Sequence, residues 1–350
     1  MKNVKKDKAA IKELNSSSLK TRKKTANAIK VICFVLSMIL VGVAAFYFAF
    51  IWDLQDYVFI DGTEKGTVII TEYIGSEAEV EVPNSLRGKK VIAIDNHAFS
   101  GKDITSVTIG KNVKLIGENA FFGCKNLQRV DLGKSVESIG TMAFGDCPLL
   151  AEFKFSPALK DVGYMLFRNN TKLTDFELNG NTNFKVENGV LYSGDMTVLY
   201  ETLLSADLSS FKLPETVNEL KPMAFYGQKE LKSIELNSSI VSIPDGCFSM
   251  CTGLTELTIP EGVVTVGSLV LVGSSITTVK IGKSVKDIKD LAFEHNEVPV
   301  LDEDGKPVLD ENGKKMTEPE HKIEIVTVKG SFAAKFAERK EIALKIVDKI

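Results

Sequence analysis

The sequence predicts a solenoid of short parallel strands preceded by one transmembrane helix, with few other helices. Three observations carry that expectation. A small residue followed by an aromatic returns at a period of 22 or 23 residues, at Ala98-Phe99, Ala120-Phe121, Ala143-Phe144, Leu166-Phe167, Ala224-Phe225, Cys247-Phe248 and Ala292-Phe293. Periods of that length mark repeats that stack in one dimension. Each mark sits in a wider apolar frame, read as Leu127, Val130, Leu132, Val136 and Ile139, then Ala143-Phe144 and Cys147, before the frame restarts at Leu150. Finally, the 22 residues 31–52 carry no charge.

Residues 1–30 hold ten Lys or Arg against Asp7 and Glu13, a surplus of +8, while the whole chain is −3, so everything beyond Lys30 carries −11. At about 1.5 Å per residue, a helix over 31–52 reaches roughly 33 Å, enough to cross about 30 Å of hydrocarbon. Basic residues before the span and Asp53 and Asp56 after it orient the chain with its N-terminus cytoplasmic and its acidic body extracellular. Tyr47 and Trp52 suit a retained signal anchor at headgroup level; a cleavable signal peptide ending near Val43-Ala44-Ala45 is the alternative. The tail nearest the membrane, Lys20, Arg22, Lys23 and Lys24, sets topology or meets anionic lipid. It has no aromatic interleaving, and no nucleic-acid partner is expected.

After the span, residues 57–60, the turn Asp61-Gly62 and residues 67–73 read as an opening hairpin within a cap at 53–83. The solenoid is expected over 84–328, its turns opening at Ile104, Leu127, Leu150, Leu173, Leu208, Leu231, Leu254, Ile276 and Ile323. Each turn's strand, such as Val130-Asp131-Leu132, sends its flanking apolar residues inward and its middle residue out. Gly or Pro then bends the chain away, as at Gly110, Gly133, Pro214, Pro260 and Gly282. The period breaks twice, for a hairpin island at 179–207 and an acidic insertion at 295–321. A helix and strand close the chain at 329–350. Two marks are irregular: Leu166 is large, and Ser268-Leu269-Val270-Leu271 lacks the aromatic.

Cys124, Cys147 and Cys251 share one repeat position that Asn170 and Gln228 fill elsewhere, so it reads as a packed turn site, with free buried thiols favoured over a Cys124–Cys147 disulfide. Cys33 lies within the span. No CxxC pair exists and Cys247 with Cys251 lacks a nearby His, which argues against zinc. His97, His295 and His321 have no nucleophile and orienting acid beside them, and no phosphate-cradling glycine loop occurs, so no catalytic residue or cofactor is expected. In the acidic insertion, Asp302, Asp304, Gly305 and Glu311 match places of a calcium loop, but Val300 and Pro307 do not; a solvated hairpin is the competing and favoured reading.

The segment GENAFFGCKNLQRVDLGKSVESIGTMAFGDCPLL resembles the BspA-like leucine-rich repeat family. So do GTVIITEYIGSEAEVEVP at 66–83, FKVENGVLYSGDMTVLYETL at 184–203 and KGSFAAKFAERKEIAL at 329–344, and the resemblance covers nearly all of 57–350. It implies a leucine-rich repeat solenoid in a surface protein. Its candidate ligand face is the outward strand column Asp131, Lys154, Glu177, Lys212, Glu235 and Lys280, with Thr108 and Thr258, beside a second column of Arg129, Glu152, Asp175 and Glu256. Asp131, Lys154 and Glu177 are expected to pair across neighbouring strands. Tyr192 and Tyr200 on the island form a rival contact site. The expected partner is a protein or an extracellular matrix or envelope component. The expected role is a non-catalytic binding or adhesion module at the cell membrane. The alternatives are an accessory subunit for another envelope protein and, remotely, a hydrolase.

Overall fold

Alternation of apolar and polar residues builds the opening strands. Tyr57–Asp61 pairs antiparallel with Thr67–Tyr73, and the latter passes parallel onto Lys89–Ile94, beginning the stack. The computed structural model describes residues 56–294, 297–299, 317–319 and 322–350. The expected tail at 1–30, span at 31–52, Cys33, His295, His321 and calcium-loop residues lie outside them. Among the described residues no helix is long and apolar enough to cross a membrane.

Each turn of the coil contributes to two parallel ladders. The front ladder runs through Glu79–Glu81, Ser106–Thr108, Arg129–Asp131 and Glu152–Lys154, and a single bridge from Lys154 adds Glu177. The second ladder runs through Lys89–Ile94, Leu115–Ile116, Ser138–Ile139 and Asp161–Val162. Front strands begin one residue earlier than the sequence frame suggested, yet the alternation holds. Val130 and Leu132 are buried while Arg129 and Asp131 face out, because consecutive side chains leave a strand on opposite faces.

The small-aromatic mark forms the packed corner between ladders. Tyr73, Phe99, Phe121 and Phe144 stack in succession with ring centroids 5.0, 4.7 and 5.0 Å apart, and Phe225 and Phe248 repeat the arrangement at 5.3 Å. Backbone bonds follow the rings: the N–H of Phe99, Phe121 and Phe144 donates to Ala120, Ala143 and Leu166 of the next turn. The irregular turn without an aromatic still fills this place, with Val270 and Leu271 fully buried.

Two residues flank that corner in the left-handed region, one just before the mark and one two residues after it. His97, Asn119, Met142, Met165, Met223 and Leu269 occupy the first column at φ 53–60°. Gly101, Gly123, Asp146, Asn169, Gly227, Met250 and Gly273 occupy the second. Side chains usually cost about 1–2 kcal/mol there, so a corner repeated with Met and Leu shows that the stacked turns override local preference.

The island interrupts every ladder. It is a three-stranded antiparallel meander, Phe184–Glu187, Val190–Ser193 and Val198–Thr202, and not a simple hairpin. Its last strand pairs parallel with Glu219–Leu220 and restarts the stack. The meander is a wall between two hydrophobic cores: Phe184, Leu191 and Leu203 pack with the first, and Val190, Tyr192 and Leu199 with the second. Beyond it the front strands resume as Ser210–Lys212 and Ser233–Glu235, followed by Glu256–Ile259, Thr278–Ile281, Glu324–Val328 and Ala343–Val347. Around the acidic insertion, Glu297–Pro299 pairs antiparallel with Thr317–Pro319. The closing helix Phe332–Arg339 is capped by the Ser331 side chain, which accepts from Ala334 N, and lays Phe336 edge-on against Phe293 at 5.9 Å.

Candidate functional site

On the first stack, parallel register converts sequence spacing into a surface. Arg129 lies beside Glu152 and Asp131 beside Lys154, one strand apart. Their side chains line a shallow groove of about 800 Å³ that runs over the front strands from Glu79 through Thr108 to Asp175 and Glu177. The floor is apolar, since Val107, Val130, Phe153 and Phe176 are buried beneath it. A second depression of about 360 Å³ continues past Arg129 and Glu152 to Leu149 and Lys172.

Lys154 holds the centre, with its ammonium 3.7 Å from Asp131 Oδ2 and 3.5 Å from Glu177 Oε1, the pairing expected from sequence. These groups are all at least one-third exposed, and such pairs contribute on the order of 1 kcal/mol or less. Asp175 accepts from its neighbour's Phe176 N–H at 2.8 Å. Arg129 makes no ion pair among the described residues, although Glu152 is its register partner. Along the groove Asp131 and Glu177 are thus committed to Lys154 and Asp175 to a backbone N–H, while Arg129, Glu152 and Glu79 form no ion pair among the described residues.

The ten candidate positions on the strand columns do not form one surface. Six of them, Arg129, Asp131, Glu152, Lys154, Asp175 and Glu177, line the groove. Lys212 and Glu235 pair at 3.3 Å on a separate two-stranded ladder beyond the island. Lys280 reaches diagonally to Glu256 at 2.6 Å instead of across to Thr258, its register partner. Glu177 and Lys212 are consecutive in the sequence frame but share no pairing, because the island stands between their strands.

The island tyrosines part company as well. Tyr192 is only 2% exposed and belongs to the second core, its hydroxyl pushed up to about 12 by burial, so it is no surface contact. The reason is the alternation of its strand, which turns Tyr192 with Val190 into the core. Tyr200 is half-buried between Phe184, with ring centroids 5.4 Å apart, and the Lys221 ammonium 5.7 Å from its own ring. Tyr226 lies under the Arg168 guanidinium at 5.4 Å.

The shared Cys, Asn and Gln position has a chemical role that the sequence frame concealed. Cys124 and Cys147 direct their thiols at the carbonyls of Phe99 and Phe121 at 3.1 and 3.3 Å, and Cys251 directs its thiol at Phe225 O at 3.0 Å. Asn170 donates to Phe144 O at 2.9 Å and Gln228 to Thr202 O at 3.1 Å. Every occupant named is a donor to a carbonyl one turn back, which is why a weakly polar thiol and a full amide are interchangeable there. Cys124, Cys147, Cys247 and Cys251 are all free and buried. Burial pushes Cys124, Cys147 and Cys251 up to about 12 and raises Cys247 as well, which leaves little thiolate for metal or redox chemistry. The exposed His97 occupies a left-handed corner.

Sequence reasoning missed Glu201, buried at the end of the island with both carboxyl oxygens 3.2–3.3 Å from Phe167 N. Burial pushes its carboxyl up to about 8, opposed by the N–H groups of Phe167 and Leu166. Its signal in the sequence was an acid alternating with apolar residues in the strand VLYET, at a position that should face inward.

Among solved structures, the chain is similar to the pneumococcal vaccine antigen PcpA, with 16% identity over 85% of this chain and 100% of that one and a TM-score of 0.54. It is also similar to a leucine-rich repeat protein from Eubacterium ventriosum, with 24% identity over 64% of this chain and 69% of that one and a TM-score of 0.50. At such identities the likeness is one of fold. No curated protein sequence matches the chain. The model of the BspA type leucine rich repeat region matches residues 92–199 and 203–298 in six copies, dividing within the seam that the island makes. Spanning more than half of the sequence and following the repeat just described, that match means that the chain belongs to the BspA-type leucine-rich repeat family.

Proposed function

We propose that the chain is a membrane-anchored, non-catalytic binding module that displays its solenoid outside the cell and takes a protein or envelope component on the first-stack groove. The observation that carries this reading is the groove itself, an open polar surface of about 800 Å³ built from the outward positions of consecutive turns. Membership of a repeat family whose domains generally act in protein interaction supports the class of function. The uncharged stretch at 31–52 after a basic tail supports the anchor and its orientation. With no aromatic anchor in the outward columns, the partner is held by charge and shape, so binding is moderate and sensitive to salt.

The test is photo-crosslinking on living cells, with the reactive residue placed at position 129 in the groove, at position 160 beside the second ladder or at position 200 on the island. Adducts at 129 that disappear with Lys154→Glu are the expected result. Adducts only at 160, or only near Tyr200 with proteins of the same membrane, would replace this reading with that of an accessory subunit. Protease added to intact cells should remove the solenoid and spare the basic tail; survival of the solenoid would reverse the topology.

A further inference from the structure

The seam between the two stacks is built differently from the turn boundaries on either side of it. Within each stack the corner N–H groups donate to carbonyls of the following turn, as Phe121 does to Ala143 and Phe225 to Cys247. After Phe167 there is no such turn to donate to. Among the described residues no backbone–backbone hydrogen bond joins the turns before residue 178 to the strand Val198–Thr202 or to anything beyond it. The Glu201 carboxyl stands where the missing carbonyl would be and accepts Phe167 N–H. Thr202, the next residue, resumes the backbone pattern by donating its N–H to Ala224 O at 2.9 Å. The polar ties across the seam are thus side-chain ties, Glu201 to Phe167 and the Ser205 hydroxyl to Leu173 O. The hydrophobic core is divided at the same place.

We propose that this seam is a hinge between two internally rigid stacks, held closed by the Glu201 side chain in its neutral form and loosened when that carboxyl ionises. Within each stack, ladders of backbone bonds and stacked rings resist bending. At the seam only side chains do so, and one of them titrates. None of the cations on the elements beside Glu201 pairs with it among the described residues. On the near turn, Arg168 lies over Tyr226 with one guanidinium nitrogen 3.9 Å from Met142 Sδ, and its buried Nε has no hydrogen-bond partner. On the meander, Lys185 pairs with Glu187 at 2.6 Å, and on the following strand Lys221 pairs with Glu219 at 2.6 Å. Among the described residues no cation forms an ion pair with Glu201, so its ionised form gains by reaching water, and parting the stacks gives it that access. Opening would turn the six groove residues of the first stack relative to Lys212, Glu235, Glu256 and Lys280 on the second. A bound partner would then meet one face or two according to pH.

The test measures the distance between the stacks directly. Spin labels at Lys134→Cys and Lys283→Cys, both exposed turn positions, are placed in the full chain in detergent with Cys33→Ser, and distances are recorded by pulsed electron paramagnetic resonance at about pH 6.5 and about pH 9.5. The expected result is one narrow distance at the lower pH and a broadened or shifted distribution at the higher. Glu201→Gln, which keeps the acceptor and removes the titration, should stay narrow at both. Glu201→Ala should be broad at both. A wild-type distribution unchanged by pH would overturn the hinge. Glu201→Gln broadening with pH as much as wild type would overturn the assignment of the latch to this carboxyl.

Discussion

Phe144→Ala tests the assignment of the small-aromatic mark to the packed corner. The ring is fully buried, lies parallel to Phe121 at 5.0 Å with 4° between planes, and takes the edge of Phe153 at 5.0 Å. Truncating a buried phenylalanine costs about 3–5 kcal/mol through lost transfer energy and the cavity that remains. Each aromatic pair accounts for about 0.5–1.5 kcal/mol beyond area, and two pairs are lost, so the upper part of the range is expected. Collapse is restricted, because the neighbouring rings are held by ladders on both sides. The assay is equilibrium urea unfolding of residues 57–350 by circular dichroism, comparing midpoints at unchanged slope. A loss below about 1 kcal/mol would refute the ring spine as a stabilising element. Comparison with Phe248→Ala, which breaks one stacked pair in the second stack, shows whether the two cores respond separately.

Glu201 makes stability depend on pH in an unusual direction. The folded carboxyl keeps its proton up to about 8 while the unfolded one loses it near 4.5, so its contribution is complete below 4.5, declines as pH rises to about 8, and is flat beyond. At about 1.4 kcal/mol per unit the loss is of the order of 5 kcal/mol, and Glu201→Gln should abolish that slope in unfolding titrations. Gly123→Ala should cost about 1–2 kcal/mol from its left-handed backbone alone, since its φ is 73° and a Cβ would meet nothing within 4 Å; an unchanged melting temperature would contradict the corner geometry. Asn170→Leu removes the partner of both Cys147 N–H and Phe144 O, each at 2.9 Å. Leaving two buried groups unpaired should cost about 2–4 kcal/mol, measured by the same unfolding assay, and a loss under half of that would mean that water replaces the amide.

The repeat was legible because period and burial are the same fact seen twice. An apolar position that must face the axis recurs once per turn, so Leu127, Val130 and Leu132 announced themselves and are buried. The pairing of Lys154 with Asp131 and Glu177 was legible too, since parallel register preserves the offset between turns. What escaped was whatever depends on a break in the repeat. Tyr192 looked like a surface residue because an island outside the period has no frame from which to read its inner face. The diagonal reach of Lys280 to Glu256 depends on side-chain length and on strands staggered across the ladder, neither of which is a property of spacing.

The sequence by itself determined the solenoid, the ring spine and the alternation of the front strands, because each follows from periodic burial along one axis. Tertiary structure alone decided that the interruption at the island divides the core, splits the candidate surface into separate ladders and puts a buried carboxyl in place of a backbone carbonyl. Those outcomes depend on which groups lack a neighbour when one turn fails to follow another, and a missing neighbour leaves no mark in the order of residues.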